Sequence, residues 1–538
     1  MGYVGAVPER SPEFRPSRGA ILALWGVALV VLCAGLGGPV VQRTQEARVV
    51  ATAREMLASP DGRQWVVPEL NGETRLQKPP LAYWAAAGSF RLFGVSDFAG
   101  RLPFALAAWL TLAVVYRLGR GLIDRRFGLF AAAILLSSYM FFRHARLAET
   151  DALATLFVTA AVHALWRGSR AAEGWRWVAW FQWAGLAIGL AVQCKIGPGA
   201  FPLVFFLAWG LVERNWRALA RFVLSGAMLT AGVVGLGWFA YLVRQMGADV
   251  FWREVTRVTD GENHPGPFYE YVPQLLAGIA PWTGLFILGL IWAIINWRTQ
   301  PAARMVTLWA ASIIVPLCLM GNKQVHYLLP AMPALAMLAA YAAHRGLGIR
   351  ADERRGLGWV LAGTLAASLT APAVVVWAAR HQRGFLLPLD VAVALLALAG
   401  AVAAASLARR KGLAAGLAGY ALAVAMLFPT LLGRWLPSLD PVNHRTIAAD
   451  LRREYGAGPY VFYGTNESLP LVWNLRQIVE PVETAEELAK VLGRAPGTVV
   501  IAQTKNGKAP PPVPAALAER GRYEDSDGMV FRIYTAGR

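Results

Sequence analysis

Residues 101–166 read RLPFALAAWLTLAVVYRLGRGLIDRRFGLFAAAILLSSYMFFRHARLAETDALATLFVTAAVHALW. Three apolar runs, near 99–119, 127–144 and 151–166, crowd into this region. Each approaches the roughly 17–25 residues that a helix needs to cross a bilayer. The charges between the runs are segregated. Arg117, Arg120, Arg125 and Arg126 lie between the first two, whereas Glu149 and Asp151 stand before the third. A basic turn followed by an acidic one reads as the two faces of a membrane.

The pattern extends outward in both directions. An apolar run covers about 20–40, and others lie near 178–194, 199–213, 222–243, 272–296, 305–320, 326–343, 357–378, 385–407 and 412–436. That predicts about thirteen spans. The first is too long for a signal-peptide core and reads as a retained helix. Composition agrees: 56% of the 538 residues are hydrophobic and only 16% are charged, against about 25% in an average soluble domain. The net charge of +19 would suggest nucleic acid in a soluble protein. Here most of it falls on alternate loops: Arg167, Arg170 and Arg176; Arg214, Arg217 and Arg221; Arg298 and Arg304; Arg345, Arg350, Arg354 and Arg355; Arg409, Arg410 and Lys411. This is the positive-inside pattern, with Arg380 and Arg383 as exceptions. It predicts a multi-pass membrane protein with a cytoplasmic N-terminus, and no nucleic-acid partner.

The expected organisation is a cytoplasmic segment 1–19, a transmembrane domain 20–436 and a small α/β periplasmic domain 437–538. The outer face receives a long loop, 42–98, and another near 244–271. In the tail, strand-like runs lie at Tyr460–Tyr463, Thr498–Ala502 and Met529–Tyr534, and helical patterns near 443–455, 484–493 and 514–520. Neither an internal repeat nor a P-loop is present. Cys33, Cys194 and Cys318 are far apart and form no CxxC, which argues against a disulfide framework or a thiolate metal site.

The polar residues at span ends converge on the outer face. They are Glu46 and Arg48, Lys78 in QKPPLAYW, Glu149 and Asp151, Lys195, Glu262 and His264, and Lys323 with His326 and Tyr327. Ionisable groups at membrane depth are costly, so each is a functional candidate. Glu46, Asp151 or Glu149 suits a general base. Lys78 before Pro79-Pro80, Lys195 beside Gly197-Pro198-Gly199, and Lys323 suit a phosphate, although snorkelling to headgroups is the plain alternative. Glu262 and His264 are too few for a zinc site and read as loop or acceptor-side residues, as does His326.

In this order the motifs QEARVVATAREM, WVVPELNGETRLQKPPLAYW, LFGVSDFAGRLP, RHARLAETDALATLF, CKIGPGAFP, ENHPGPFYEYVP and NKQVHYLLPAMPALA resemble membrane glycosyltransferases of the GT-C class. The similarity is to the aminoarabinose transferase and protein mannosyltransferase-like group, glycosyltransferase families 83 and 39, and covers about residues 20–345. The resemblance implies a mainly α GT-C fold. It implies transfer of a sugar, with inversion, from a polyprenyl (undecaprenyl) phosphate donor to a lipid or protein acceptor at the periplasmic face. It also implies that Lys78 binds the donor phosphate, that Lys323 and Tyr327 match a later lysine–tyrosine motif, and that Glu46 or Asp151 serves the acceptor; Arg48 and Lys195, from the residue reading above, are further donor-phosphate candidates. Two departures stand out. Gln45 replaces the aspartate of the family's Asp-Glu pair, and Gln77 replaces the acidic residue that helps hold a metal in the aminoarabinose enzymes. No structural zinc is therefore expected, and no cofactor is assigned. The competing classes are a lipid-linked-sugar transporter or flippase, which would favour an internal repeat, and a non-catalytic membrane scaffold.

Overall fold

The computed structural model describes residues 18–536, apart from 173, 251, 254–264, most of 349–372, 382–385, 439–441, 465–466, 506–511 and 526–527. Among the described residues seven helices are long and apolar enough to cross a membrane: Asp97–Leu122, Trp175–Cys194, Ala227–Met246, Pro301–Leu319, Val325–Gly346, Pro388–Lys411 and Leu413–Ser438. The pair Tyr271–Gly278 and Thr283–Ile295 makes an eighth if its 113° bend is one span. Shorter apolar helices are Leu24–Cys33 and Ile196–Val212. The chain is a multi-pass, mainly α membrane protein.

Several apolar runs are broken where the chain supplies a reason. The run 127–144 divides into Arg125–Leu136 and Tyr139–His144. Between them the hydroxyls of Ser137 and Ser138 donate back to the carbonyls of Ala133 and Ile134, both at 2.6 Å, which competes with helix continuation. The run 272–296 breaks between Tyr271–Gly278 and Thr283–Ile295, around Pro281, which lacks the N–H a continuing helix needs. Thr150–Arg170 is long enough to span, but Thr155, Thr159 and His163 lower its hydropathy. It lies inside the bundle, packed against Asp97–Leu122, Trp175–Cys194 and Ile196–Val212, so its polar residues are not offered to lipid. Close helix approach rests on small residues: a Cβ on Gly119 would meet the backbone of Gly128 at 2.8 Å.

The 42–98 segment is more ordered than a loop. It holds the helices Thr44–Ala58 and Leu81–Phe93 and a short antiparallel pair, Glu69–Leu70 with Glu73–Thr74. In the tail, Tyr460–Tyr463 pairs in parallel with Glu480–Val482 and Val499–Lys505. Met529–Ala536 runs antiparallel to Val499–Lys505 and to Leu517–Glu524. The helices His444–Tyr455 and Ala485–Arg494 match the helical patterns. The expected helix at 514–520 is instead the edge strand Leu517–Glu524. Ladder pairing with Met529–Ala536 overrides the helix-forming residues there, as tertiary context commonly does.

The tail is joined to the bundle through buried polar contacts. Asp97, at the start of Asp97–Leu122, accepts from Trp473 Nε1 at 2.8 Å and from Arg445 at 2.6 Å. Asn71 exchanges hydrogen bonds with the backbone of Val479 at 2.7 and 2.8 Å and donates to Glu467 at 2.9 Å.

Candidate active site

Five segment ends meet on the Asp97 side of the bundle. The RHARLAETD stretch supplies the centre. It leaves Tyr139–His144, turns, and enters Thr150–Arg170 with Asp151 in the first helical turn. The partial positive charge of a helix N-terminus favours a carboxylate there. Lys195, between Trp175–Cys194 and Ile196–Val212, places Nζ 3.3 Å from Asp151 Oδ1. His326 Nε2 lies 3.9 Å from Oδ2. The Lys195 ammonium also sits 3.5 Å from the Tyr327 ring centroid, a face that stabilises a cation without neutralising it.

Lys78, in a bend just before Pro79 and Pro80, reaches the same group of charges. Burial pushes its ammonium below the ordinary lysine value, and Arg75 and Arg48 add to this, while Asp151 and Glu149 oppose it. Burial likewise lowers Lys195, to about 8, against the pull of Asp151. Two lysines with a weakened hold on their protons stand beside one aspartate.

The three candidate carboxylates are held differently. Glu46 is nearly inaccessible and takes a two-point contact from Arg101, 2.7 and 2.8 Å, plus the Ala148 N–H at 3.0 Å. Glu149 accepts from Arg43 Nε at 2.7 Å and lies 3.2 Å from His144 Nδ1. Burial raises its carboxyl, but the hydrogen bond and charge of His144 and the charge of Arg43 more than offset that, leaving it below the ordinary glutamate range. Asp151 has the longest contacts of the three, so it is the carboxylate whose partners are most easily exchanged for a substrate.

Lys323 is placed elsewhere. Its Nζ donates to the carbonyls of Leu317, Cys318 and Met320 at 3.4, 2.9 and 2.6 Å. It thereby satisfies the end of the helix Pro301–Leu319. Glu262 and His264 lie outside the described residues. Arg48 is on the helix Thr44–Ala58, where its charge acts on Lys78 and on Glu467 of the tail. Sequence reasoning missed Arg101, His144 and Arg43 as partners. Arg101 carried a usable signal, since an arginine inside an apolar run demands a buried acid. Glu467 carried none.

A metal does not fit the described residues. Among them no group of three or more His, Cys, Asp or Glu side chains is placed to share an ion, and Gln77 beside Lys78 is a neutral amide. Elemental analysis of the purified protein is expected to find no stoichiometric zinc. One tightly bound zinc per chain would overturn this.

The profile of the dolichyl-phosphate-mannose-protein mannosyltransferase family matches residues 77–241. The undecaprenyl phosphate-alpha-4-amino-4-deoxy-L-arabinose arabinosyl transferase 2 of Sodalis glossinidius is 31% identical over 342 residues, 62% of this chain and 61% of that protein. The corresponding enzyme of Edwardsiella ictaluri is 31% identical over 316 residues, 57% of this chain and 56% of its own length. The matched stretch therefore spans less than two thirds of these relatives. ArnT from Cupriavidus metallidurans in the apo state superposes with a TM-score of 0.76 at 22% identity, covering 96% of this chain and 98% of its own. In sequence and in fold, the chain is similar to the GT-C membrane proteins of the aminoarabinose transferase and protein mannosyltransferase group.

Proposed function

We propose that the protein is an inverting glycosyltransferase that moves a sugar from a polyprenyl phosphate to a lipid or protein acceptor at the outer face of the inner membrane. The observation that carries this is the Asp151–Lys195 pair at 3.3 Å with Lys78 within its field. A base and two phosphate-binding cations then stand together at one end of the bundle. The relatives' names, which include undecaprenyl phosphate, support the donor class. The basic loops support an orientation with the Asp97 end and the tail in the periplasm.

The chemistry follows from the charges. The acceptor hydroxyl oxygen attacks the anomeric carbon opposite the phosphate. The carbon–oxygen bond to phosphate breaks, and its electron pair stays on the phosphate oxygen. Asp151 takes the hydroxyl proton, which gives nucleophilic character as the bond forms. Lys78 and Lys195 neutralise the charge that grows on the leaving polyprenyl phosphate. Arg101 and Glu46 hold the first helix of the 42–98 segment against the bundle and are positioning residues in this reading.

The direct test supplies undecaprenyl-phosphate-linked sugars to purified protein in nanodiscs and follows release of undecaprenyl phosphate. Release by the wild type, lost in Asp151→Asn, supports the proposal; no release with any donor, or release unchanged in that variant, defeats it. Lys78→Ala is expected to weaken undecaprenyl phosphate binding by about 10- to 100-fold, the value of one charge-assisted hydrogen bond of about 1.5–3 kcal/mol. Lys78→Arg should recover part of the loss, measured by the same titration.

Donor binding should also depend on pH. The ammonium form of Lys195 binds phosphate, and burial in the fold lowers it to about 8. Affinity is therefore flat below that pH and falls above it, by up to about tenfold per unit. Titration between pH 6.5 and 9.5 reads this, and Lys195→Arg should reduce the alkaline fall, leaving the part that Lys78 contributes.

A further inference from the structure

A cavity lies at the opposite end of the bundle from the candidate active site. The helix Asp97–Leu122 runs from the candidate active site to the basic loop that begins Arg125–Leu136, a distance of about 37 Å at 1.5 Å per residue. At that far end a cavity of about 500 Å³ opens between Arg18–Cys33, Asp97–Leu122, Arg125–Leu136 and Leu413–Thr430. Its wall is apolar except at one end, where Arg126 and Lys411 line it. The wall from Leu413–Thr430 is open because Ala414, Ala418, Ala421 and Ala425 face the space at helical spacing. From Ala414 to Ala425 the groove runs about 16 Å, close to half of a hydrocarbon core of about 30 Å.

Among the described residues neither Arg126 nor Lys411 forms an ion pair, although the Asp124 charge acts on Arg126. Arg126 is half-buried, with its guanidinium 5.9 Å from the Phe130 ring centroid. Its Nε is buried with no hydrogen-bond partner among the described residues. The acid beside it, Asp124, is already occupied: it accepts the Phe127 N–H at 2.7 Å and lies 2.8 Å from His344 Nε2. Lys411 ends the helix Pro388–Lys411 after Arg409 and Arg410, so the mouth of the groove is strongly positive. Groove length, apolar wall and terminal positive charge together match one leaflet's worth of a phospholipid with an anionic head.

We propose that this groove binds one acyl chain of an anionic glycerophospholipid from the leaflet opposite the active site, with its phosphate on Arg126 and Lys411. Such a lipid fills the space between Arg18–Cys33 and Leu413–Thr430 and ties the first helix to the bundle. The site is independent of the donor phosphate site, since none of its residues touches Lys78, Lys195 or Asp151.

Native mass spectrometry of the full-length protein tests this with phosphatidylglycerol and phosphatidylcholine of equal chain length. The wild type should retain one phosphatidylglycerol in preference to phosphatidylcholine. Arg126→Gln with Lys411→Gln should weaken phosphatidylglycerol by at least tenfold and erase the preference. Ala418→Phe, which fills the groove from an exposed position, should weaken both lipids. Undecaprenyl phosphate binding should stay at the wild-type level in all variants, which also shows that they are folded. An unchanged preference in the charge variant overturns the proposal. So does displacement of the bound phosphatidylglycerol by undecaprenyl phosphate, one for one, because the groove would then hold the isoprenoid tail.

Discussion

Asp151→Asn is expected to lower transfer turnover by about 10²- to 10⁴-fold, the usual worth of a general base, while undecaprenyl phosphate binds at least as tightly as before. Asparagine keeps the size and accepts a hydrogen bond from Lys195, so the local geometry survives. It removes a negative charge that lies 3.3 Å from the Lys195 ammonium and within the field of Lys78. Phosphate binding therefore gains while proton removal is lost. That opposite movement of rate and affinity separates a base from a structural residue, whose loss would weaken both. Glu149→Gln supplies the comparison. Its oxygens are engaged by Arg43 and His144, so its effect should be smaller and should fall on stability as well as rate. If Glu149→Gln abolished turnover with binding intact and Asp151→Asn did not, the base would be Glu149.

Arg101→Met should destabilise the fold by about 3–5 kcal/mol, the cost of breaking a buried ion pair from one side. Arg101 and Glu46 are each almost fully buried. The guanidinium also donates to the carbonyls of Leu36 and Pro39, both at 2.7 Å. Without it, the Glu46 charge, the connection after the first helix and the helix Thr44–Ala58 lose one common anchor. Thermal unfolding in nanodiscs reads the loss. Adding Glu46→Gln to Arg101→Met should recover much of the stability, because no unpaired buried charge remains. If the double variant turns over donor at the wild-type rate, Glu46 has a positioning role only. A folded but inactive double variant, with Asp151 intact, would return the base to Glu46.

Much of the architecture was legible because the membrane imposes a coarse rule on sequence. Apolar runs identify membrane-crossing helices without any knowledge of packing. Breaks inside a run were not legible. Ser137 and Ser138 end a helix through hydroxyl bonds to carbonyls one turn back, and the same serines occur in unbroken helices. The candidate site was legible as a set of residue types on one face, and Asp151, Lys195, His326 and Tyr327 do meet. Which of them are spoken for was not legible. Glu46 and Asp151 look alike in sequence, and only the three-dimensional position of Arg101 distinguishes them. Lys323 illustrates the same limit, since its ammonium is spent on the carbonyls of its own neighbouring helix end.

The seam between bundle and tail has a consequence in the order of synthesis. Asp97 opens a membrane helix near the start of the chain, yet its buried carboxylate is satisfied by Trp473 and Arg445, more than three hundred residues later. Asn71 depends in the same way on Val479. Until that late segment is made, Asp97 and Asn71 lack these partners, so the junction between bundle and tail closes only after the chain has passed residue 479.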